Sequence, residues 1–295
     1  MALTRVDGAI LSGDFTQTAQ PYEYDAALEF CRGLRDRYNL TAGQVLLVPG
    51  NHDVDWSASE RAFEFVPTSR AASIPGGVEK VPAGNLGILA RNDTTYYERL
   101  SNYSVFCSQV LDGMSYSLDP RKQWRIAEIG RVLFLGLNSA WECDHLHPNR
   151  VSICPGAIAE ALDALNSLNS NAVIRIAVLH HPFMGSSALV SDLLQLLSVQ
   201  GFKVCLHGHL HETQRIGYEY DVQRRIHILG VGTFGVDSRG QTAGIPWQYN
   251  VLTVDCDKNT IQVESRKREK RLGAWMGDAR WGTKNHPSTR LRIRL

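Results

Sequence analysis

In the stretch Gln44-Val-Leu-Leu-Val-Pro-Gly-Asn-His-Asp53, a short apolar run typical of a buried strand ends directly in polar side chains. Three other short apolar runs end in the same way. The four polar endings are Gly13-Asp14, Gly50-Asn51-His52-Asp53, His180-His181-Pro182 and His207-Gly208-His209-Leu210-His211. Functional side chains of an α/β sheet collect beyond the carboxyl ends of its strands, so we expect these endings to meet. Converging Asp, Asn and His side chains indicate a transition-metal site with mixed nitrogen and oxygen ligands.

Outside these endings, short apolar runs alternate with longer amphipathic ones, which is the pattern of an α/β domain. The predicted strands are Gly8–Ser12, Gln44–Val48, Val132–Leu137, Val173–Leu179, Val204–Leu206, Ile226–Val231, Val251–Val254 and Ile261–Ser265. The predicted helices are Tyr22–Tyr38, Thr94–Leu111, Ala157–Leu168 and Leu189–Gln200. The Pro- and Gly-rich stretch Val66–Asn92 is predicted to be a long loop, such as a lid or a binding loop.

The composition is that of a soluble globular protein, with 43% hydrophobic and 21% charged residues in a chain of 295. The net charge of +1 neither favours nor excludes a polyanionic partner, but Glu264–Leu295 is basic and the rest is mildly acidic. The six cysteines form no CxxC pair and several lie in apolar surroundings, which favours buried thiols in a reducing compartment. We find no apolar run of the roughly 18 residues that span a membrane, and no signal-peptide core in residues 1–7. We therefore expect a cytoplasmic protein.

The four endings, in this order, resemble the motifs of the calcineurin-like metallophosphoesterases. Leu137-Asn138-Ser139 after a strand and the Gly230–Gly232 strand match the surroundings of those motifs, and the similarity runs from about Asp7 to Ser265. The resemblance implies a four-layer α/β/β/α sandwich of two mixed β-sheets flanked by helices. It would occupy residues 1–272 as a metallophosphoesterase domain, followed by a basic tail, residues 273–295, of unassigned structure.

The resemblance also implies a role for each polar ending. The implied metal ligands are Asp14, Asn51, His180, His209 and His211. Asp14 would bridge two metals, and His52 would be the catalytic histidine, held by the carboxylate of Asp53 and placed at the leaving oxygen. A hydroxide on the metals would attack phosphorus in line, while the cations absorb charge on the phosphoryl oxygens.

Three polar residues beside the implied ligands have no assigned role. His181 and His207 each adjoin a ligand position, and Asn138 ends a strand nearby. Each is either structural or a contact of the ligands or the substrate. The cluster Asp144-His145-Leu146-His147 also contains side chains that can bind a metal. It follows a different strand from the family's metal-binding motifs, so substrate contact or solvent exposure is the better interpretation.

One family motif is absent from this chain. The family carries an Asp-x-His motif on its first strand, whereas the thirteen residues before Asp14 contain no histidine. The first metal would retain only Asp14 and His211, but the second keeps four ligands, enough for a tetrahedral ion. We therefore expect one or two divalent ions of open identity (Mn, Fe, Zn, Co or Ni). The strand Gly8–Ser12 would also lack a neighbour. We therefore expect that the natural product starts upstream of Met1; the alternative is a real truncation with reduced or lost activity.

Three functions remain open from the sequence. The leading one is a phosphodiesterase or phosphomonoesterase acting on a small, nucleotide-like substrate. The second is a nuclease that uses the basic segment beginning at Arg266 to follow phosphates, although the same residues suit a solvated, charge-alternating edge strand. The third is a catalytically degenerate domain in which a metal acts as a structural staple.

Overall fold

The structure, a computed structural model, describes residues 5–182, 188–210, 213–221, 224–235, 245–270 and 272–295. Its helices are α1 (Tyr24–Tyr38), α2 (Trp56–Arg61), α3 (Thr68–Ala71), α4 (Asp93–Tyr97), α5 (Ser101–Val110), α6 (Pro155–Ser167) and α7 (Ala188–Val199). Its strands are β1 (Ala9–Leu11), β2 (Val45–Leu47), β3 (Phe63–Pro67), β4 (Lys80–Pro82), β5 (Gly87–Arg91), β6 (Trp124–Ile129), β7 (Val132–Leu137), β8 (Ile174–Leu179), β9 (Phe202–His207), β10 (Gln214–Asp221), β11 (Arg224–Gly230), β12 (Trp247–Asp255), β13 (Thr260–Arg268), β14 (Met276–Gly277), β15 (Trp281–Thr283), β16 (His286–Ser288) and β17 (Arg290–Arg294).

The largest sheet has six strands in the order β10-β11-β9-β8-β7-β6. Its four inner strands are parallel, and the edge strands β6 and β10 are antiparallel to their neighbours. Both faces of the sheet are largely buried, which explains why β7 is a continuous apolar run and why β8 and β9 each contain a single Arg or Lys residue, Arg175 and Lys203. In β8, Ala177 and Leu179 pack with α6 and α7, whereas Ile174, Ile176 and Val178 face the opposite side.

The second β-layer contains the parallel pair β1–β2 and the antiparallel strands β12, β13, β14 and β17. The alternation of side chains along β2 shows how the layers stack. Val45 and Leu47 pack with α1 and α5, while Leu46 and Val48 pack against the six-stranded sheet. Helices, two β-layers and helices therefore follow one another, and the predicted α/β/β/α sandwich is confirmed.

Four parts of the prediction differ from the structure. Residues 66–92 are not one loop, because β3, β5 and β4 form a three-stranded antiparallel sheet joined by α3. The predicted helix Thr94–Leu111 is broken into α4, a short 3-10 turn at Glu98–Leu100 and α5. The strands β6 and β10 were not predicted. Strand β13 is not an edge strand, since β12 pairs on one side of it and β14 and β17 on the other.

Residues 273–295, whose structure the sequence leaves unassigned, contain four short strands. Strand β17 pairs with the first half of β13, and β14 pairs with its end. Ile293 of β17 is buried in the core between the two β-layers. None of the helices in the described ranges is long and apolar enough to cross a membrane.

Strand β1 has a weaker position than the other strands that precede the motifs. Within the described part of the chain it pairs with β2 alone. All three of its residues are partly exposed, whereas all three of β2 are buried. Asp14 therefore follows a strand with a single neighbour.

Candidate metal centre

The carboxyl ends of parallel strands in both β-layers meet at one place. The turn after β1 carries Asp14, and the 3-10 turn Asn51–Asp53 follows β2. His180 and His181 follow β8, and His209 follows β9. The two layers touch directly here, because the Nδ1–H of His180 donates to the carbonyl of Ser12 over 2.6 Å.

His180 lies at the centre of the cluster. Its side chain is 1% exposed, and its Nε2 lies 3.2 Å from Oδ2 of Asp14 and 3.2 Å from Nδ1 of His209. Because a carbonyl can only accept, the bond to Ser12 assigns the ring proton of neutral His180 to Nδ1. The lone pair of Nε2 then points toward Asp14 and His209.

The charges of Asp14 and His180 support each other. Burial acts to raise the pKa of Asp14, but the charge of His180 and its hydrogen bond outweigh burial and lower the pKa to about 2. Burial likewise acts to lower the pKa of His180, but the charge of Asp14 and its hydrogen bond raise it. Each group therefore favours the charged form of the other.

Asp14 and His209 both have left-handed backbone conformations, with φ of 59° and 62°. Such conformations are uncommon for residues other than glycine and cluster at functional sites. Glycine is needed at position 50 because a Cβ there would overlap the Asp14 carboxylate. The glycines and left-handed residues of the motifs thus serve the close approach of the two turns.

Asn51 is a polar residue of the site whose side-chain oxygen, Oδ1, lacks a hydrogen-bond partner within the described residues. The residue is buried. A buried carbonyl oxygen without a partner is costly, so a site for a cation is a direct physical explanation. The neighbouring amide, His52 N, donates to Oδ1 of Asp14 over 3.2 Å.

The carboxylate of Asp53 does not hold His52 as the sequence suggested. It accepts the backbone N–H groups of Asp14 (2.8 Å), Phe15 (2.9 Å) and Gly50 (2.8 Å). Burial and the charge of Asp14 raise its pKa to about 7, against these N–H groups, which favour the ionised form. Asp53 is therefore an anchor that joins the first two motifs.

The imidazole of His52 is held by Gln17 instead. Its Nδ1 donates to the Gln17 carbonyl over 2.9 Å, and the side-chain amide of Gln17 lies 3.2 Å away. Thr16 also donates its hydroxyl to the His52 carbonyl over 2.7 Å. The proton of neutral His52 is thus on Nδ1, which leaves Nε2 for a substrate. Sequence reasoning missed Gln17, since a glutamine three residues after Asp14 carries no recognisable signal.

His181 lies within the cluster rather than beside it. One ring nitrogen each of His180, His181 and His209 lie within 4.8 Å of one another. The Nδ1 of His181 is 2.9 Å from the hydroxyl of Ser139, which also accepts the His181 backbone N–H. Burial, followed by the charges of His180 and His209, lowers the pKa of His181 to about 2, so this ring stays neutral.

Asn138 and His207 are held by structural contacts. Asn138 is buried, donates to the Gln123 side chain over 2.8 Å and accepts the N–H of Ala140 over 2.8 Å, so it shapes the turn after β7. The buried His207 ring donates Nδ1–H to the carbonyl of Gly208 over 2.9 Å. His211 lies outside the described residues.

The cluster Asp144–His147 is a self-contained turn. The buried Asp144 accepts the N–H groups of Leu146 and His147 and the hydroxyl of Tyr96. His145 packs edge-on against Phe63. The other described contacts of this cluster go to α2, α4, β3 and the following residue Arg150, and not to Asp14 or His180.

These residues fit a divalent cation. Two ligands about 2.0–2.1 Å from a tetrahedral ion are roughly 3.3 Å apart, close to the separations from His180 Nε2 to Asp14 and His209. The unpartnered Oδ1 of Asn51 supplies a further oxygen donor. A mixed set of imidazole, carboxylate and amide donors suits Mn, Fe, Co, Ni or Zn.

Comparisons with known proteins identify the family of the chain. The profile of the calcineurin-like phosphoesterases matches residues 3–213, more than two thirds of the sequence. The chain therefore belongs to the calcineurin-like phosphoesterase family, whose members use divalent metal ions to hydrolyse phosphoesters. This confirms the family that the four motifs indicated.

Two solved structures are similar to the chain. One is a purple acid phosphatase from seeds of yellow lupin (Lupinus luteus), with 11% identity, a TM-score of 0.48, and coverage of 88% of this chain and 44% of that one. The chain thus spans less than half the length of the lupin protein. The other is a predicted phosphoesterase from Streptococcus pneumoniae, with 13% identity, a TM-score of 0.31, and coverage of 91% of this chain and 94% of that one. No curated protein matches the chain.

Proposed function

We propose that this chain is a metal-dependent hydrolase of phosphodiesters or phosphomonoesters, with a small nucleotide-like substrate. The observation that carries the proposal is the meeting of Asp14, His180 and His209 within hydrogen-bond distance, beside a turn whose buried Asn51 oxygen lacks a partner. These groups come from four separate motifs, and no packing demand accounts for their meeting.

The residues divide into two roles. Asp14, Asn51, His180 and His209 would hold the metal, with His211 as a further ligand. A divalent ion held there supplies positive charge to neutralise phosphoryl oxygens and to acidify a water. His52, oriented by Gln17, presents Nε2 to the leaving oxygen and donates its proton there when charged.

The test is hydrolysis of bis(p-nitrophenyl) phosphate and of p-nitrophenyl phosphate with added Mn²⁺, followed by a panel of nucleotides. We expect metal-dependent turnover by the wild-type chain and its loss in Asn51→Ala. The matched control is Asn169→Ala, an exposed asparagine just after α6, which keeps full activity. Turnover that is unchanged in Asn51→Ala contradicts the proposal. Stoichiometric metal binding without hydrolysis of any ester would instead indicate a catalytically degenerate domain in which the metal has a structural role.

The outer face of the second β-layer favours nucleic acid as a second candidate substrate. Ile293 is buried, so Arg290, Arg292 and Arg294 alternate with it on the exposed face of β17. Arg290 pairs with Glu264 of β13 over 2.9 Å. Arg292 and Arg294 lie opposite neutral residues of β13, and such a row of guanidinium groups suits a phosphate backbone.

Salt dependence tests this second candidate. Binding of a fluorescent oligonucleotide should weaken steeply with salt, and Arg292→Gln with Arg294→Gln should lower the slope of log K against log salt by about 1.4 for a single strand. The control is Arg32→Gln with Arg61→Gln, which removes the same charge from exposed positions elsewhere. A flat salt dependence, or equal slopes for the two double variants, excludes this surface as a nucleic-acid site.

A further inference from the structure

Thr213 lies four residues after His209, and each of its polar atoms makes at least one hydrogen bond. Its backbone N–H and its hydroxyl reach the same acceptor, Oε1 of Gln248, over 3.0 and 3.3 Å. The hydroxyl accepts the N–H of Gly232 over 3.3 Å. Its carbonyl accepts from the guanidinium of Arg280 over 2.7 Å. Thr213 itself is buried, so these bonds are shielded from water.

The groups that hold Thr213 come from distant parts of the chain. Gln248 lies in β12 and is fully buried. Its amide nitrogen donates to the carboxylate of Asp278, which also accepts from Nε of Arg280 over 2.7 Å. Asp278 is itself buried and tied to β13 through its own N–H and the carbonyl of Ser265 over 2.9 Å. Gln248, Asp278 and Arg280 thus form a polar clamp around Thr213, and we call them the Thr213 clamp.

The other end of the same segment is also held. The N–H of Gly208 donates to the carbonyl of His180 over 3.0 Å, and the N–H of Val231 donates to the carbonyl of His207 over 3.0 Å. His209 lies between these anchors and the clamp, in a left-handed conformation that the chain would leave if released. The chain is thus anchored on both sides of His209, which limits where its ring can lie relative to His180.

We propose that the Thr213 clamp positions His209 for metal binding, so that the C-terminal part of the chain sets the metal affinity of the site. The proposal rests on the metal centre proposed above. An apolar side chain at position 248 would close the core as well as glutamine does, whereas a buried amide must satisfy each of its hydrogen-bonding groups. The arrangement satisfies Gln248 by directing one end to Thr213 and the other to Asp278.

An exchange of groups within the clamp tests the proposal. Gln248→Glu places two carboxylates against each other, and Asp278→Asn removes the partner charge of Arg280. The double variant Gln248→Glu with Asp278→Asn restores one donor and one acceptor between positions 248 and 278 with the charge unchanged. It does not restore the acceptor for Nε of Arg280, because Oδ2 of Asp278 serves both bonds. We expect each single variant to weaken Mn²⁺ binding by about 10-fold or more, as is usual for residues that orient ligands. The double variant should bind Mn²⁺ more tightly than either single variant.

Two measurements distinguish an effect on metal binding from a general loss of folding stability. Mn²⁺ affinity is measured by isothermal titration calorimetry, and folding by urea unfolding of the metal-free protein. The control is Gln262→Glu, the same change on the neighbouring strand β13 but pointing outward, which should leave affinity unchanged. Equal Mn²⁺ affinity in wild type and both single variants overturns the clamp proposal while the metal centre stands.

A second measurement does not depend on metal. The imidazole ¹⁵N shifts of His209 in the metal-free protein should change in Gln248→Glu and return in the double variant, while those of the exposed His286 stay constant. If wild type binds no metal, the proposed function fails, and these shifts still decide whether the clamp positions His209. Unchanged His209 shifts in Gln248→Glu overturn the clamp.

Discussion

The two halves of the site rest on supports of different kinds. The histidines follow β8 and β9, inner strands with a neighbour on each side and buried residues on both faces. Asp14 follows β1, which among the described strands pairs with β2 alone and is partly exposed. The histidines are thus positioned by strands of the buried core, whereas the position of Asp14 depends on contacts outside its own sheet.

Hydrogen bonds take the place of a sheet neighbour at Asp14. The carboxylate of Asp53 binds the backbone N–H groups of Asp14 and Phe15, and so ties the turn after β1 to the turn after β2. His180 adds a bond from the other β-layer to Ser12. A motif residue can therefore serve as the support of another motif, which a sequence pattern does not reveal.

The largest expected difference between the two halves is in folding stability. Ile176 of β8 is fully buried and Ile10 of β1 is partly exposed, yet both face the space between the β-layers. Ile176→Ala should lower the free energy of unfolding by about 4 kcal/mol, because it leaves a cavity in a closed core. Ile10→Ala should lower it by about 1 kcal/mol, since the site is open to water. Urea unfolding measures both, and equal losses would show that β1 is as enclosed as β8.

The next effect is on metal binding. His180→Ala removes the ring that contacts Asp14, His209 and Ser12, and it should weaken Mn²⁺ binding by more than about 100-fold, or about 2.7 kcal/mol. The control His286→Ala changes an exposed histidine and should leave binding unchanged. Calorimetric titration checks both. Retention of wild-type affinity by His180→Ala would contradict the proposed centre.

The sequence predicted the layers of the fold and the order of the motifs because both depend on local patterns. Strand β7 is an uninterrupted apolar run and β8 is interrupted by Arg175 alone, so their bounds were predicted within one residue. The unit at residues 63–91 was missed because Pro and Gly interrupt its short strands. Strand β6 was missed because its Arg and Glu obscure the alternation of apolar residues.

At the site, too, local sequence patterns predicted some features and not others. The residues that meet are those that the motifs named, because each motif lies directly after a strand. Their partners were not predictable, because Gln17, Ser139 and Gln248 are common polar residues whose roles arise only from tertiary contacts. The role of Asp53 was wrong for the same reason, since its hydrogen bonds go to backbone groups 38 and 39 residues away.

A smaller effect should follow from weakening the link between the first two motifs. Asp53→Asn replaces one acceptor oxygen by an amide N–H that faces a backbone N–H donor. We expect a loss of about 2 kcal/mol in the free energy of unfolding at pH 7.5. The matched control, Asp163→Asn, changes an exposed carboxylate in α6 and should stay within about 0.5 kcal/mol of wild type. If both variants unfold alike, Asp53 does not support β1.

The smallest expected effect is a pH dependence that originates in the histidine half. Burial lowers the pKa of His181 to about 2, from a usual value near 6.5, so between these values the unfolded chain binds a proton that the folded chain does not. Stability that His181 contributes is complete above pH 6.5 and is lost as the pH falls, by about 1 kcal/mol from pH 7.5 to 5.5 in the metal-free protein.

The pH dependence must be measured as a difference between variants. The pKa of Asp53 is raised to about 7, and a raised carboxyl pKa adds stability as the pH falls from 7 toward 4, opposite in sign to His181. Urea unfolding at pH 7.5 and 5.5 should therefore show His181→Asn losing about 1 kcal/mol less than wild type over this interval. His286→Asn should follow wild type, because that ring is exposed. An identical pH response in His181→Asn and wild type would mean that the buried ring accepts a proton within the folded core.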